Sequence, residues 1–321
     1  VFAAIDVGTN TVRLLLGKVA GGRIIAERYE RTITRLGGGF CPQKGLAPEA
    51  MERTLRTLTQ YAALTAEARA DAVAVFGTAV LRQAKNAAEL QARLFRATGL
   101  NLEIISGKQE ALLSCRGVRN GLEPAPDKCL IFDIGGGSTE FILHCQGKIR
   151  FQNSYPLGVV SLSEQFNDPE RQRVRIHEVL DCLADDLSRS SCDPAALRGV
   201  QLVGTAGTVT TLAAVHLGLT VYDRRRINNL LLSRDELAAL RQRLESVALT
   251  ERETLPGMER GRGDLILPGL TIVEALMTRT GHDVLKVSDN GLLEGILLSL
   301  PMEVVPTECR FSPDDGSRPR K

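Results

Sequence analysis

The chain lacks most of the features that identify a chemistry at a glance. Its four histidines (His144, His177, His216 and His282) do not cluster. Neither a histidine-bound metal nor a nucleophilic triad is therefore indicated. Its seven cysteines are scattered, odd in number and without paired short spacing. That pattern favours reduced thiols in a cytoplasm over a disulfide framework or a zinc site. Cys129 and Cys145 read as packing residues. No apolar run approaches the length of a membrane span, and no signal peptide opens the chain. The sequence starts at Val1 directly in a strand pattern, so an initiator methionine and a few residues are expected before it. Net charge is only +2, which gives no global basic field for nucleic acid, although 40 Lys and Arg leave room for a basic cleft. A length of 321 residues is too long for one ordinary core and comfortable for two.

What is present centres on Leu130-Ile-Phe-Asp-Ile-Gly-Gly-Gly-Ser-Thr-Glu140. The apolar run is short, partly β-branched and closed by glycines, so it reads as a buried strand. Gly135, Gly136 and Gly137 free the backbone to turn N–H groups toward an anion. Asp133 and Glu140 bracket the loop with hard oxygen ligands suited to Mg²⁺. A phosphate with its metal is the natural occupant of such a loop.

The stretch has an earlier echo. Phe2-Ala-Ala-Ile-Asp-Val-Gly-Thr-Asn-Thr11 repeats the plan of strand, acid, glycine and hydroxyls, and Asp6 precedes Asp133 by 127 positions. Gly77, in Val73-Ala-Val-Phe-Gly-Thr-Ala79, precedes Gly204, in Gln201-Leu-Val-Gly-Thr-Ala206, by the same 127. Two signals at one offset predict two copies of an α/β unit, each presenting two glycine-hydroxyl loops from strand ends. Ligands in open α/β folds sit at such ends, so four loops should face one another across a cleft.

Other segments are placed by pattern. Phe2–Val7, Val12–Val19 and Arg23–Arg35 predict a meander turning at Gly21-Gly22. Arg35, before the Leu36–Phe40 glycine loop, is a candidate anion contact beside a phosphate cleft. A helix is expected from Pro48 to about Ala70. Arg82, directly after the Gly77 loop, reads equally as a solvated helix residue or a phosphate contact. Asn86 and Glu89 form a capping-box pattern, as do Ser106 and Gln109. Glu110 then falls in the first helical turn, where spacing alone makes it a structural acid favoured by the helix dipole. Gly121–Asp127 is the expected linker. Ile176–Leu187 predicts an amphipathic helix broken at Ser190–Pro194. Gly204–Thr208 suits phosphate oxygens at a helix N-terminus, without the lysine of a P-loop. Arg224-Arg-Arg226 is either a solvated loop or a grip for a polyanion. Beyond Pro301 the chain turns polar and proline-rich, so roughly its last fifteen residues are expected to be loosely ordered.

Taken together, these loops, with Arg35-Leu-Gly-Gly-Gly39, Ser106-Gly-Lys-Gln-Glu-Ala111 and Val287-Ser-Asp-Asn-Gly-Leu-Leu-Glu-Gly295, resemble the exopolyphosphatase / guanosine pentaphosphate phosphohydrolase family. The match runs in order from Phe2 to about Leu300, whereas each loop alone points only to the wider actin, sugar-kinase and chaperone-ATPase superfamily. The resemblance implies an α/β fold of two ribonuclease H-like domains facing a central cleft. The corresponding ranges are 1–123 and 124–300, with 301–321 as an optional completion of the first.

The resemblance also assigns roles. Glu110 matches the glutamate that activates the attacking water, and Asp133 and Glu140 match the Mg²⁺-associated carboxylates. Thr9, Asn10, Gly136, Gly137, Ser138, Thr205, Gly207 and Thr208 would cradle phosphates, with Arg82 near the phosphate path. The implied substrates are polyphosphate or guanosine pentaphosphate, with no nucleic acid or membrane partner and with room for a homodimer. Asn228-Asn229 depart from the family's frequent His-Gly. The helical C-terminal domains of longer members are missing from the sequence, which implies lower processivity or a shorter substrate. An ATP-using kinase and a non-catalytic alarmone sensor remain the competing readings.

Overall fold

The structure, a computed structural model, describes residues 1–190, 197 and 199–303. The expected break at Ser190–Pro194 lies almost wholly outside the described residues. So does the tail beyond residue 303, with its optional role in completing the first domain.

The N-terminal unit comprises β1 (Phe2–Val7), β2 (Thr11–Ala20), β3 (Arg23–Ile33), α1 (Pro48–Glu67), β4 (Ala72–Gly77), α2 (Ala79–Gln83), α3 (Ala87–Thr98), β5 (Leu102–Ile104) and α4 (Gly107–Gly121). The rest comprises β6 (Lys128–Ile134), β7 (Thr139–Cys145), β8 (Lys148–Tyr155), α5 (Val159–Gln165), α6 (Pro169–Arg189), β9 (Gln201–Thr205), α7 (Ala206–His216), α8 (Arg224–Ile227), β10 (Leu231–Ser233), α9 (Arg234–Glu245), α10 (Leu249–Arg252), α11 (Ile266–Thr280), β11 (Val284–Val287) and α12 (Leu292–Glu303). No helix among the described residues is long and apolar enough to cross a membrane.

The strands form two mixed sheets, in the orders β3-β2-β1-β4-β5 and β10-β11-β9-β6-β7-β8. The 127-residue echo is a repeat of topology. β1 lies antiparallel to β2 and parallel to β4, and β6 lies antiparallel to β7 and parallel to β9. β10 is the added antiparallel edge of the second sheet. The repeat extends to single hydrogen bonds. The Gly8 N–H donates to the Thr11 carbonyl at 3.0 Å, and the Gly135 N–H to that of Ser138 at 2.9 Å.

Both central strands are buried on both faces, which is why they read as continuous apolar runs. Strand period sends Ala3, Ile5 and Val7 into one core and Ala4 into another. In β6, Leu130, Phe132 and Ile134 join one core, and Cys129 and Ile131 the other. Helices α4 and α12 fill the space between the sheets. α4 turns Ala111, Cys115 and Val118 onto β6 and β7, whereas α12 turns Leu292, Leu293, Ile296 and Leu297 onto β1 and β2. Thus α12, which follows the second sheet in the chain and begins before residue 300, packs against the first.

Two local readings resolve differently. Ser106 and Gln109 close a reciprocal capping box at α4. Asn86 does not cap α3, because its amide is engaged elsewhere. Its Oδ1 accepts from the Leu46 N–H at 2.8 Å and its Nδ2 donates to the Leu46 carbonyl at 3.0 Å, which pins the loop before α1. Asn228 and Asn229 serve the linker. Both amides donate to the Gly121 carbonyl, and Asn229 Oδ1 accepts from the Glu123 N–H.

Candidate active site

The four loops after β1, β4, β6 and β9 converge on one small cavity of about 70 Å³. Gly8, Thr9 and Asn10 contribute from the first, and Thr78 and Ala79 from the second. Gly135–Ser138 contribute from the third, and Ala206 and Gly207 from the fourth. The first and third loops touch. A Cβ added at Gly136 would lie 3.0 Å from Thr9 Cβ and 3.2 Å from the Asn10 nitrogen, so a side chain there would push the two loops apart by a few tenths of an ångström. Ala206 takes a positive φ of 67°, a strained conformation of the kind that collects at ligand clamps.

Cross-strand register sets the charges. In the second sheet Asp133 stands opposite Glu140, and Glu140 opposite Ser154. In the first sheet Asp6 stands opposite Arg13, and Arg13 opposite Arg31. Residues opposed in this way share a face. At the position where the second copy carries Glu140, the first carries Arg13. Arg13 binds Asp6 Oδ2 through Nε at 2.9 Å and Nη2 at 2.6 Å.

Helix α4 supplies Glu110, a first-turn residue only 8% exposed. Its Oε2 accepts from Arg82 Nη1 at 2.6 Å, and that nitrogen also donates to the Ile105 carbonyl at 3.2 Å. Burial, then the charge of Glu140, push the Glu110 pKa well above the carboxylate range, and Arg82 opposes them. Burial and Glu140 also push Asp133 up to about 7. Glu140 is raised by burial, against hydroxyl donors at its Oε1: Ser154 Oγ at 2.6 Å and Ser138 Oγ at 2.7 Å.

Thr9, Asn10, Gly136, Gly137, Ser138 and Gly207 line the cavity, as do Glu110 and Asp133. Thr205 and Thr208 stand behind it, with their hydroxyls donating to the carbonyls of Asn290 at 2.8 Å and Ile134 at 3.4 Å. The cavity receives Ala206 and Gly207 from that loop instead. Arg82 reaches Glu110 rather than open space. Arg35 donates to the Gly261 carbonyl at 2.9 Å and to Asp264 at 3.2 Å, so it joins the two units beside the cleft. Arg224 is neutralised by Asp289 and Glu294.

The motifs did not mark Arg13, Arg31 and Arg262, which line the same cavity. Arg13 was discoverable, because it lies at the repeat offset from Glu140. Arg262 sits in an irregular stretch that gives no periodic signal. Its guanidinium lies over Gly207, occupying the space a Cβ there would need, and Nη2 donates to Thr11 Oγ1 at 3.2 Å.

The donor set fits a magnesium ion that shares its ligands with a phosphate. Asp133 and Asp6 line the cavity together, and Asp6 Oδ1 is buried with no hydrogen-bond partner. Both amide atoms of Asn10 are orphaned in the same way. Glu140, with two hydroxyls already at Oε1, stands one row behind. No group of three or more His, Cys, Asp or Glu forms a ready cage among the described residues. Mg²⁺ does not require one, since it takes one or two carboxylates and completes its shell with phosphates and water.

Comparison with known proteins places the chain. The Ppx/GppA phosphatase family matches residues 18–303. Exopolyphosphatase 2 of Mycobacterium tuberculosis is 36% identical over 319 residues, covering 93% of this chain and 98% of that protein. The guanosine-5'-triphosphate,3'-diphosphate pyrophosphatase of Aeromonas hydrophila is 27% identical over 300 residues, covering 93% of this chain and 59% of that protein. The crystal structure of an exopolyphosphatase from Cytophaga hutchinsonii superposes with a TM-score of 0.82 at 28% identity, covering 94% of this chain and 98% of that one. The Ppx/GppA family member of Aquifex aeolicus gives 0.77 at 28% identity, covering 95% and 99%.

Proposed function

The chain belongs to the Ppx/GppA phosphatase family, and we propose that it is a hydrolase that releases the terminal phosphate of inorganic polyphosphate, of guanosine pentaphosphate, or of both. In this reading Glu110 takes a proton from a water whose oxygen attacks the terminal phosphorus. The bond from that phosphorus to the bridging oxygen breaks, and the chain, one phosphate shorter, leaves with the electron pair. Burial and the charge of Glu140 raise the pKa of Glu110, which makes it a stronger base than a solvated carboxylate.

Arg13 and the glycine loops meet the negative charge that spreads over the terminal phosphoryl oxygens. Asp133 and Asp6 are the residues that would hold Mg²⁺, which when bound offsets phosphate charge. Ser138 and Ser154 fix Glu140, which with Arg82 sets the field around Glu110.

The observation that carries the proposal is a buried glutamate of raised pKa on a cavity the size of one phosphoryl group, lined by arginines, two aspartates and an unpartnered asparagine. The test is phosphate release with Mg²⁺ from long polyphosphate and from guanosine pentaphosphate, for wild type and Glu110→Gln. The expected loss of rate is about a hundredfold or more. Binding of either compound without release by the wild type would replace this reading with an alarmone or polyphosphate sensor.

A further inference from the structure

The cavity of about 70 Å³ has room for a terminal phosphoryl group, on the order of a few waters. A substrate of several phosphates must leave it. A pocket of about 740 Å³ lies on the far side of Arg31, between β3 and the loop after α10, and Arg31 lines both spaces. A carboxylate on the wall of the larger pocket, Glu259, engages the arginine that the two spaces share. Glu259 accepts from Arg31 Nε at 2.6 Å and from Arg31 Nη2, and its Oε2 also accepts from Arg262 Nε. One internal anion therefore occupies two arginines carried by different parts of the fold. Arg31 comes from β3, and Glu259 and Arg262 come from the loop before α11.

The bridge is built as an anion site. Arg262 is only 7% exposed, and Glu259 is its anionic partner. Burial pushes the pKa of Glu259 up, but the two guanidiniums outweigh it and leave a net shift below the ordinary value. Two forked guanidiniums converging on one small anion suit a phosphate at least as well as a carboxylate, because phosphate offers more oxygens and more charge. The pocket beyond begins with Arg31 over the ring of Tyr222, 5.6 Å from its centroid.

We propose, on the hydrolase reading above, that Arg31 and Arg262 form the subsite for the second phosphate of a condensed phosphate chain, and that Glu259 is an internal stand-in which the substrate displaces on its way into the larger pocket. Glu259 then selects for length. A lone phosphate fits the cavity without disturbing the bridge, whereas a chain gains two arginines only by displacing a carboxylate already bound to them.

Calorimetric titration with orthophosphate and with pyrophosphate, both with Mg²⁺, tests this on wild type, Glu259→Gln and Arg31→Ala. Glu259→Gln keeps the side chain's size and removes the competing charge. Its pyrophosphate affinity is expected to rise about tenfold while orthophosphate affinity stays within a factor of about two. Arg31→Ala is expected to abolish any preference for pyrophosphate over orthophosphate. Orthophosphate binding is the control for a folded cleft in each variant. An unchanged pyrophosphate-to-orthophosphate ratio in both variants would overturn the proposal, as would weaker pyrophosphate binding by Glu259→Gln. If Glu259→Gln does not fold, the Arg31→Ala ratio decides alone. The titration is independent of turnover, so a wild type that releases no phosphate would defeat the hydrolase reading and leave the subsite to be judged on binding.

Discussion

Arg82 and Glu110 form a short ion pair, Nη1 to Oε2 at 2.6 Å, across the gap between α2 and α4. Arg82 Nη2 also lies 4.0 Å from Glu140 Oε1, so one guanidinium stands between two acids. Burial and Glu140 raise the Glu110 pKa, and Arg82 holds it down. Removing the arginine moves the pKa in one direction only. In Arg82→Ala, Glu110 stays protonated to higher pH, so the acid limb of the kcat/KM profile shifts upward. An unmoved limb would show that Glu110 is not the group whose ionisation the profile reports.

The second prediction concerns the metal. Burial and the charge of Glu140 push the pKa of Asp133 up to about 7, against 3.8 for a free side chain. A raised acid pKa means the folded state holds the proton more tightly. Its contribution to stability is complete below about 4 and is lost as pH rises through about 7. Mg²⁺ needs the ionised form, so it competes with that proton. Thermal melts should show a Mg²⁺-induced rise of several degrees at pH 8 and almost none at pH 5. Asp133→Asn should remove the difference. An equal rise at both pH values would exclude Asp133 as a ligand.

A third prediction follows from the crossing of α4 and α12. A Cβ at Gly117 would overlap the Gly291 carbonyl, and one at Gly295 would overlap that of Leu113. The obstacles are backbone, which cannot rotate away. Gly117→Ala should cost about 1–3 kcal/mol, at the upper end, by forcing apart helices that belong to different cores. The check is the denaturation midpoint, and a loss under half a kcal/mol would contradict the close crossing.

Much of the fold was legible because its signals are local or repeated. The apolar runs of β1 and β6 and the cap at Ser106 are short-range instructions. The 127-residue offset carried the duplicated topology. Asn86 misled because an asparagine before a helix can spend its amide on a distant loop, and Leu46 is forty positions away. The destination of α12 was not readable either. A helix apolar on most sides fits several cores, and only the assembled sheets decide which one takes it. The glycine loops of the site announced themselves by composition. Arg31 and Arg262 did not, because an arginine in a strand or a loop is ordinarily a solvated residue, and only convergence on one cavity distinguishes these two.

The last prediction concerns a residue outside the cleft. His144 lies on β7 opposite Cys129, is 2% exposed, and has no hydrogen-bond partner at either ring nitrogen. Burial first, then the charge of Arg119, push its pKa below the usual histidine value. A depressed pKa for a base means that the unfolded chain binds the proton more readily. Stability is therefore lost as pH falls through about 6.5, where the unfolded histidine titrates. The cleft carboxylates act with the opposite sign, because their pKa values are raised. The wild-type pH curve therefore mixes two opposed slopes. His144→Leu separates them, since leucine fills an apolar site without a titrating group. The variant should lose less stability than the wild type between pH 7.5 and pH 5.5, read as the difference in urea midpoints at each pH. Parallel curves would mean that His144 keeps a solvated pKa and that its strand opens to water.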